Sequence, residues 1–293
     1  MNKNFIVGFL SVLLAGIGFG FLGIFGRLAF ESGLSVGELL TARFSIAGIL
    51  LLFSLFIYNR KLIFLPKKQI LISFLLGFLG YAVFSTLYFT SIQGLSVSLA
   101  AMILFTFPIF VSLGSWIFLK HTLTKKQILS LIISTLGLVL LVWGPLFIKS
   151  LSSILFAFSA AITYSIYVIV SGQVQKNVHP ISSSLYVILA AGLGLFVFHQ
   201  PNLYKLMSLT SEQYFYILGL SIVCTILPIS LFLFGLQKMK SSIASIIVTI
   251  EPVVAAVAAF FILNEKLEPH QYLGMIFVII ALLLTHDPAE VIV

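Results

Sequence analysis

The sequence predicts an all-α membrane protein of ten transmembrane helices, built as two five-helix repeats of inverted topology. Three observations predict it: the composition, ten apolar stretches of spanning length, and a match of the chain to itself. Of 293 residues, 60% are hydrophobic and 8% charged, against roughly 45–50% apolar and about 25% charged in an ordinary soluble domain. A hydrocarbon core about 30 Å thick takes roughly 20 apolar residues of helix. Such stretches run from Phe5 to Ala29, Gly37 to Tyr58, Ile70 to Thr90, Leu95 to Leu119 and Gln127 to Phe147, then from Ser152 to Gly172, Ile181 to Phe198, Gln213 to Leu236, Ser242 to Leu263 and Gln271 to His286. Lipid offers the backbone no hydrogen-bond partner, so each stretch must satisfy its own polar groups as a helix. The first has Lys3 ahead of it, as a secretory signal would. It is far longer than the apolar region of a signal and nine more stretches follow, so it reads as an uncleaved first helix.

The formal net charge of +8 raises nucleic acid as a partner, and the positions of the basic residues decide against it. With the N-terminus inside, alternate loops carry Lys3, Arg60, Lys61, Lys67, Lys68, Lys120, Lys125, Lys126, Lys176, Lys238 and Lys240. The opposite loops carry Lys149, Lys205 and Lys266, with Arg27 near a helix end. That asymmetry predicts both termini in the cytoplasm.

Displaced by 144 residues, the third to fifth stretches align with the eighth to tenth without a gap. Gln93 meets Gln237, Ser98 meets Ser242, Pro108 meets Pro252 and Gln127 meets Gln271. Leucine matches are cheap in such a composition; paired Gln, Ser and Pro in one register are not. The expected domains are residues 1–148 and 149–293. Five helices per half is odd, so the second half enters the membrane the opposite way round, the arrangement of many secondary transporters.

Little here suggests catalysis. The only aspartate, Asp287, lies beyond the last stretch, and His121, His179, His199, His270 and His286 are scattered near span ends without metal-site spacing. No G-x-S-x-G elbow occurs. Cys224 alone supports neither a disulfide framework nor a thiolate metal site, and no metal or cofactor is expected. The pattern G-x-G-x-x-G at Gly18, Gly20 and Gly23 lies inside an apolar helix with no preceding strand, so it fails as a nucleotide cradle.

The strongest candidate is Glu251-Pro252, in the ninth stretch. A carboxylate in hydrocarbon costs several kcal/mol, so it faces a cavity or a partner; the proline removes a helix donor and frees backbone carbonyls. Phe107-Pro108 holds the matching place in the first half, and such paired interruptions point to a transport site. Glu251 is thus a candidate for proton coupling or for bracing the broken helix. Arg43 is the other intramembrane charge; it can pair with Glu38 or Glu251 or snorkel to the outer interface. At helical spacing Gly77, Tyr81, Ser85 and Tyr88 share one face, as do Ala160, Tyr164, Tyr167 and Ser171, and Ser242, Ser245 and Thr249. Tyrosines at mid-depth need hydroxyl partners, which a cavity supplies. Thr106 and Thr225 are counted with the expected lining. Gly16, Gly20, Gly23 and Arg27 form another stripe, and the same displacement carries it onto Ala160, Tyr164, Tyr167 and Ser171. Bare glycine backbone, Gly20 and Gly23 above all, is then expected to leave room opposite the tyrosines.

These features resemble the drug/metabolite transporter superfamily with two EamA domains. The resemblance rests on the five-plus-five repeat, Ala42-Arg43-Phe44, the Pro108 region, and Glu251-Pro252 followed by Leu263-Asn264-Glu265. It implies a bacterial inner-membrane carrier, often an exporter of amino acids or related metabolites, working by alternating access without a bound cofactor. The chain departs from the family in having Phe19 where a tryptophan is common, and in having Glu-Pro and Asn-Glu once each. The expected function is a secondary transporter of neutral or zwitterionic metabolites. Its expected partners are a small-molecule substrate, protons and the lipid bilayer, with no nucleic acid, as a monomer or weak dimer. Two other readings stay open: an uncoupled, channel-like carrier, and a non-transporting receptor or scaffold with a dry midplane.

Overall fold

Four helices start where a side chain satisfies the first backbone N–H groups, which have no partner inside the helix. Ser35 and Glu38 form a reciprocal capping box, the Ser35 backbone N–H donating to Glu38 Oε2 at 2.8 Å. Thr124 with Gln127, Thr210 with Gln213 and Glu268 with Gln271 repeat the device. Pro180 and Pro269 occupy first-turn positions, where a missing N–H costs nothing.

The structure, a computed structural model, describes residues 3–144 and 148–285, and among these it has helices and no strands. In chain order the helices are α1 (Lys3–Glu31), α2 (Val36–Tyr58), α3 (Lys67–Ile92), α4 (Val97–Leu119), α5 (Lys125–Leu141), α6 (Leu151–Asn177), α7 (Pro180–His199), α8 (Ser211–Leu236), α9 (Ser241–Ile262) and α10 (Pro269–Leu284). Eight of them, all but α5 and α10, are long and apolar enough to cross a membrane. The fifth and tenth expected stretches are shorter as helices, at 17 and 16 residues, or about 25 Å each. Their expected ends, Phe147 and His286, lie outside the described residues. α5 and α10 pack on each other where Gly137 and Gly274 let the two backbones approach; a Cβ on Gly137 would stand 2.8 Å from the Gly274 carbonyl oxygen. Ser130 Oγ donates to the Ala281 carbonyl across the same seam at 2.6 Å.

The 144-residue displacement reappears in the backbone and reaches further than the side chains indicate. α2, α3, α4 and α5 begin at Val36, Lys67, Val97 and Lys125, and α7, α8, α9 and α10 begin at Pro180, Ser211, Ser241 and Pro269, the same displacement each time. A π-helical segment interrupts α3 at Leu76–Ala82 and α8 at Ile222–Ile226. α4 and α9 both break before a proline and resume at Phe107 and Glu251. Just beyond these two helices Lys120 and Asn264, 144 residues apart, share the left-handed conformation, with φ of 58° and 54°.

Polarity runs inside out compared with a soluble protein. Ser73, Ser130, Ser171, Ser183, Ser221 and Ser245 are buried, whereas Leu14, Phe53, Phe118, Leu151, Phe261 and Leu283 are exposed on the bundle's outer faces. Small hydroxylated residues pack helices closely and large apolar ones meet lipid, as expected in a bilayer.

Candidate functional site

A cavity of about 260 Å³ lies between α1, α2, α3, α4 and α9. It receives Gly20 and Gly23 from α1, Arg43 from α2, Tyr81, Ser85 and Tyr88 from α3, and Glu251 and Pro252 from α9. Eight of the expected site residues are therefore brought together. Apolar side chains that periodicity did not single out complete the wall: Phe19, Leu40, Phe84, Phe89, Leu104, Phe105 and Val142 among them. Phe84 was within reach of the pattern, since it follows Tyr81 by three residues and so shares its face. Leu104 and Phe105 follow from the break before Pro108.

Arg43 neither snorkels nor pairs with Glu38. It is 3% exposed. Glu38 is engaged elsewhere, accepting from Lys205 Nζ at 2.8 Å and from the Ser35 backbone. The Arg43 guanidinium donates from Nε to Thr225 Oγ1 and from Nη2 to the Cys224 carbonyl, both at 2.6 Å, and lies 4.9 Å from the centre of the Phe44 ring. Pro228 explains why that carbonyl is free: it stands four residues on and has no N–H to offer it. Thr225, expected in the lining, is fully buried behind Arg43 and holds it in place. Two of five guanidinium donors are accounted for in this way, and Tyr81 stands beside the guanidinium on the cavity wall.

Glu251 stands half-way along α9 at the break, part-buried, with its side chain on the cavity. Among the described residues no hydrogen bond or ion pair reaches its carboxylate, and none joins it to Arg43. The two ionisable side chains thus share one small cavity without direct contact.

The floor is aromatic. The Tyr81 ring packs against Phe44 at 5.1 Å, Phe84 at 5.4 Å and Tyr167 at 5.5 Å between centroids. Tyr164 packs against Phe84 at 4.6 Å and Phe107 at 4.9 Å. Tyr164 and Tyr167, expected to line the cavity, stand behind Tyr81 and Phe84, outside the lining. Thr106 and Thr249 also lie outside it, each donating 2.6 Å to a carbonyl one turn earlier in its own helix, Ile103 and Ile246. Pro108 is buried at the start of the second half of α4.

The glycine stripe divides. A Cβ on Gly20 would meet Val254 Cβ at 2.6 Å and the Glu251 carbonyl at 2.8 Å, and one on Gly16 would crowd Ile250 and the Val248 carbonyl. These two glycines face the α9 break rather than the tyrosines, because the frayed backbone of α9 needs α1 to come close. A Cβ on Gly23 has nothing within 4 Å and points into open space. Beyond it, Arg27 bridges Glu31 and Glu265, tying the end of α1 to the α9–α10 loop.

The sequence pattern of the EamA-like transporter family matches residues 6–143 and again residues 151–286. The chain belongs to the EamA-like transporter family. It is a multi-pass membrane transporter of small molecules and not an enzyme. An uncharacterized transporter of Archaeoglobus fulgidus is 28% identical over 67% of this chain and 71% of its own length. The uncharacterized transporter YdfC of Bacillus subtilis is 26% identical over 68% of this chain and 65% of its own length. A solved structure, titled "Crystal structure of protein", superposes with a TM-score of 0.78 over 97% of this chain and 96% of that one. At 15% identity it establishes a shared fold. In this EamA-like transporter Phe19, the residue that departs from the family's tryptophan, is part of the cavity wall.

Proposed function

We propose that this protein is a secondary carrier of zwitterionic or neutral metabolites, amino acids first among them, working as an exporter by alternating access. The observation that carries the reading is the pair Arg43 and Glu251, a guanidinium with no carboxylate in contact and a carboxyl with no cation in contact, on the walls of the same cavity. A buried charge without a counter-ion is costly, so each site favours a group of opposite sign. A solute carboxylate fits the spare donors of Arg43, whose planar fork suits two oxygens. Its ammonium fits Glu251, where a proton occupies the carboxyl when the solute is absent. The exchange of ammonium for proton at one carboxyl couples the two fluxes.

The reading includes ten crossings, with α5 and α10 spanning a locally thinner bilayer, and halves 1–148 and 149–293 related by a two-fold axis in the membrane plane. In this reading, which the basic loops support, both termini are on the cytoplasmic side of a bacterial inner membrane, the cavity opens toward the outside, and the Tyr81, Tyr164, Tyr167 and Phe107 cluster closes the inner side. Parting that cluster is the inward-opening step, in which Tyr164 and Tyr167 become lining. In proteoliposomes loaded with amino acids, a pH gradient drives counter-movement in the parent protein. Glu251→Gln retains solute exchange and loses the gradient's effect. Unchanged pH dependence in that variant leaves Glu251 a brace of the broken helix, and equilibration without response to pH in the parent protein favours an uncoupled carrier.

A further inference from the structure

A second cavity is larger than the central one. A groove of about 780 Å³ lies at the opposite end of the bundle, between α2, α8 and the α6–α7 turn. From Gln237 at the end of α8 it runs to Leu227, ten residues and about 15 Å along the helix axis. Leu51, Ile226, Leu227, Leu231 and Phe234 form its deep part. Leu227 is 51% exposed, so this part is open sideways to the hydrocarbon.

The shallow end is different in kind. Asn177, His179 and Gln237 stand there beside the first turn of α7, which has no side-chain cap. Pro180 has no N–H, and the next two N–H groups of that turn have no partner in the helix; they present the positive end of a 20-residue helix dipole. Ser182 Oγ in this turn and Ser230 Oγ on the groove wall are both without a hydrogen-bond partner among the described residues. Lys176 precedes the turn, and Lys238 lies with its ammonium 5.6 Å from the centre of the Phe234 ring. The described acidic residues Glu31, Glu38, Glu212, Glu265 and Glu268 are all at the other ends of their helices. Among the described residues the rim is therefore positive, and the depth apolar.

We infer that this groove is a binding site for an anionic phospholipid of the surrounding leaflet, its phosphate at the first turn of α7 between Lys176 and Lys238 and one acyl chain along α8. Charge complementarity selects the lipid class. Each basic residue near a headgroup contributes about 1 kcal/mol toward anionic over zwitterionic lipid, so two give about a thirtyfold preference. A soluble anion cannot use the apolar depth, and a zwitterionic lipid brings its own ammonium to the positive rim, so it gains less there.

The test is native mass spectrometry of the full-length protein, stripped of lipid in detergent and offered phosphatidylglycerol and phosphatidylcholine at equal concentration, with inorganic phosphate as a third probe. One phosphatidylglycerol per protein is expected, with phosphatidylcholine and phosphate leaving little or no adduct. Lys176→Ala combined with Lys238→Ala, which change one exposed and one half-buried side chain and keep both Cβ atoms, should erase the preference for phosphatidylglycerol at an unchanged melting temperature. Ser230→Trp, which fills the groove, should remove the adduct altogether. Equal retention of the two lipids by the parent protein, or an adduct that survives both variants, overturns the inference, as does phosphate binding as well as the lipid.

Discussion

The two proline breaks share a backbone and differ in everything else. α4 resumes at Phe107-Pro108 and α9 at Glu251-Pro252, at equivalent positions of the repeat, and a left-handed residue follows the end of each helix. Yet Phe107 is 2% exposed, wedged against Tyr164, with its carbonyl accepting from Ser165 Oγ at 3.1 Å. Glu251 presents its carboxylate to a cavity, and its carbonyl is approached by bare Gly20. The repeat conserves the device that interrupts a helix and assigns opposite tasks to the residue placed there. One seals and the other is left open to a solute. Matching positions in a repeat therefore identify where function can be built, and the side chain decides which half carries it.

The comparison can be broken from the sealing side first. Phe107→Ala removes a buried ring from the floor and should cost about 3 kcal/mol or more, read as a lower melting temperature in detergent, with leak through the cluster as a second readout. The same truncation with no loss of stability would mean that the floor is held elsewhere. A smaller effect is expected on the open side. Gly20→Leu forces α1 off the α9 break and should destabilise by about 1–3 kcal/mol, whereas Gly23→Leu projects into open space, leaves melting unchanged and obstructs solute. Equal loss of stability in the two variants would show that the glycines form one packing seam. The smallest effect separates the helix ends. Lys120→Gly relieves a left-handed conformation that lysine adopts at a cost, for a gain of about 1 kcal/mol or less. Asn264→Gly should change less, because asparagine tolerates that conformation.

Hydropathy made the helices legible, and Gln93 with Gln237 and Pro108 with Pro252 gave the register of three of them. The register of α2 with α7 was hidden because it lies in helix starts, Val36 and Pro180, that share no residue type. Glu251, Arg43, Tyr81, Ser85 and Tyr88 were readable as cavity residues because charge and mid-depth hydroxyls have few other uses in lipid. Tyr164 and Tyr167 were not separable from them: a tyrosine face packs against rings or opens to a cavity according to what α3 places opposite. The Arg43 clamp was hidden for another reason. Its acceptor is the Cys224 carbonyl, a backbone group that only Pro228, four residues later, betrays.

The central claim is that Glu251 exchanges a proton for the solute's ammonium. Calorimetric titration of the purified protein with an amino acid ligand, in two buffers of different ionisation enthalpy, counts protons released on binding. About one proton per solute is expected for the parent protein and none for Glu251→Gln, which should still bind through Arg43. Binding without proton release in the parent protein, or the same release in the variant, would contradict the account.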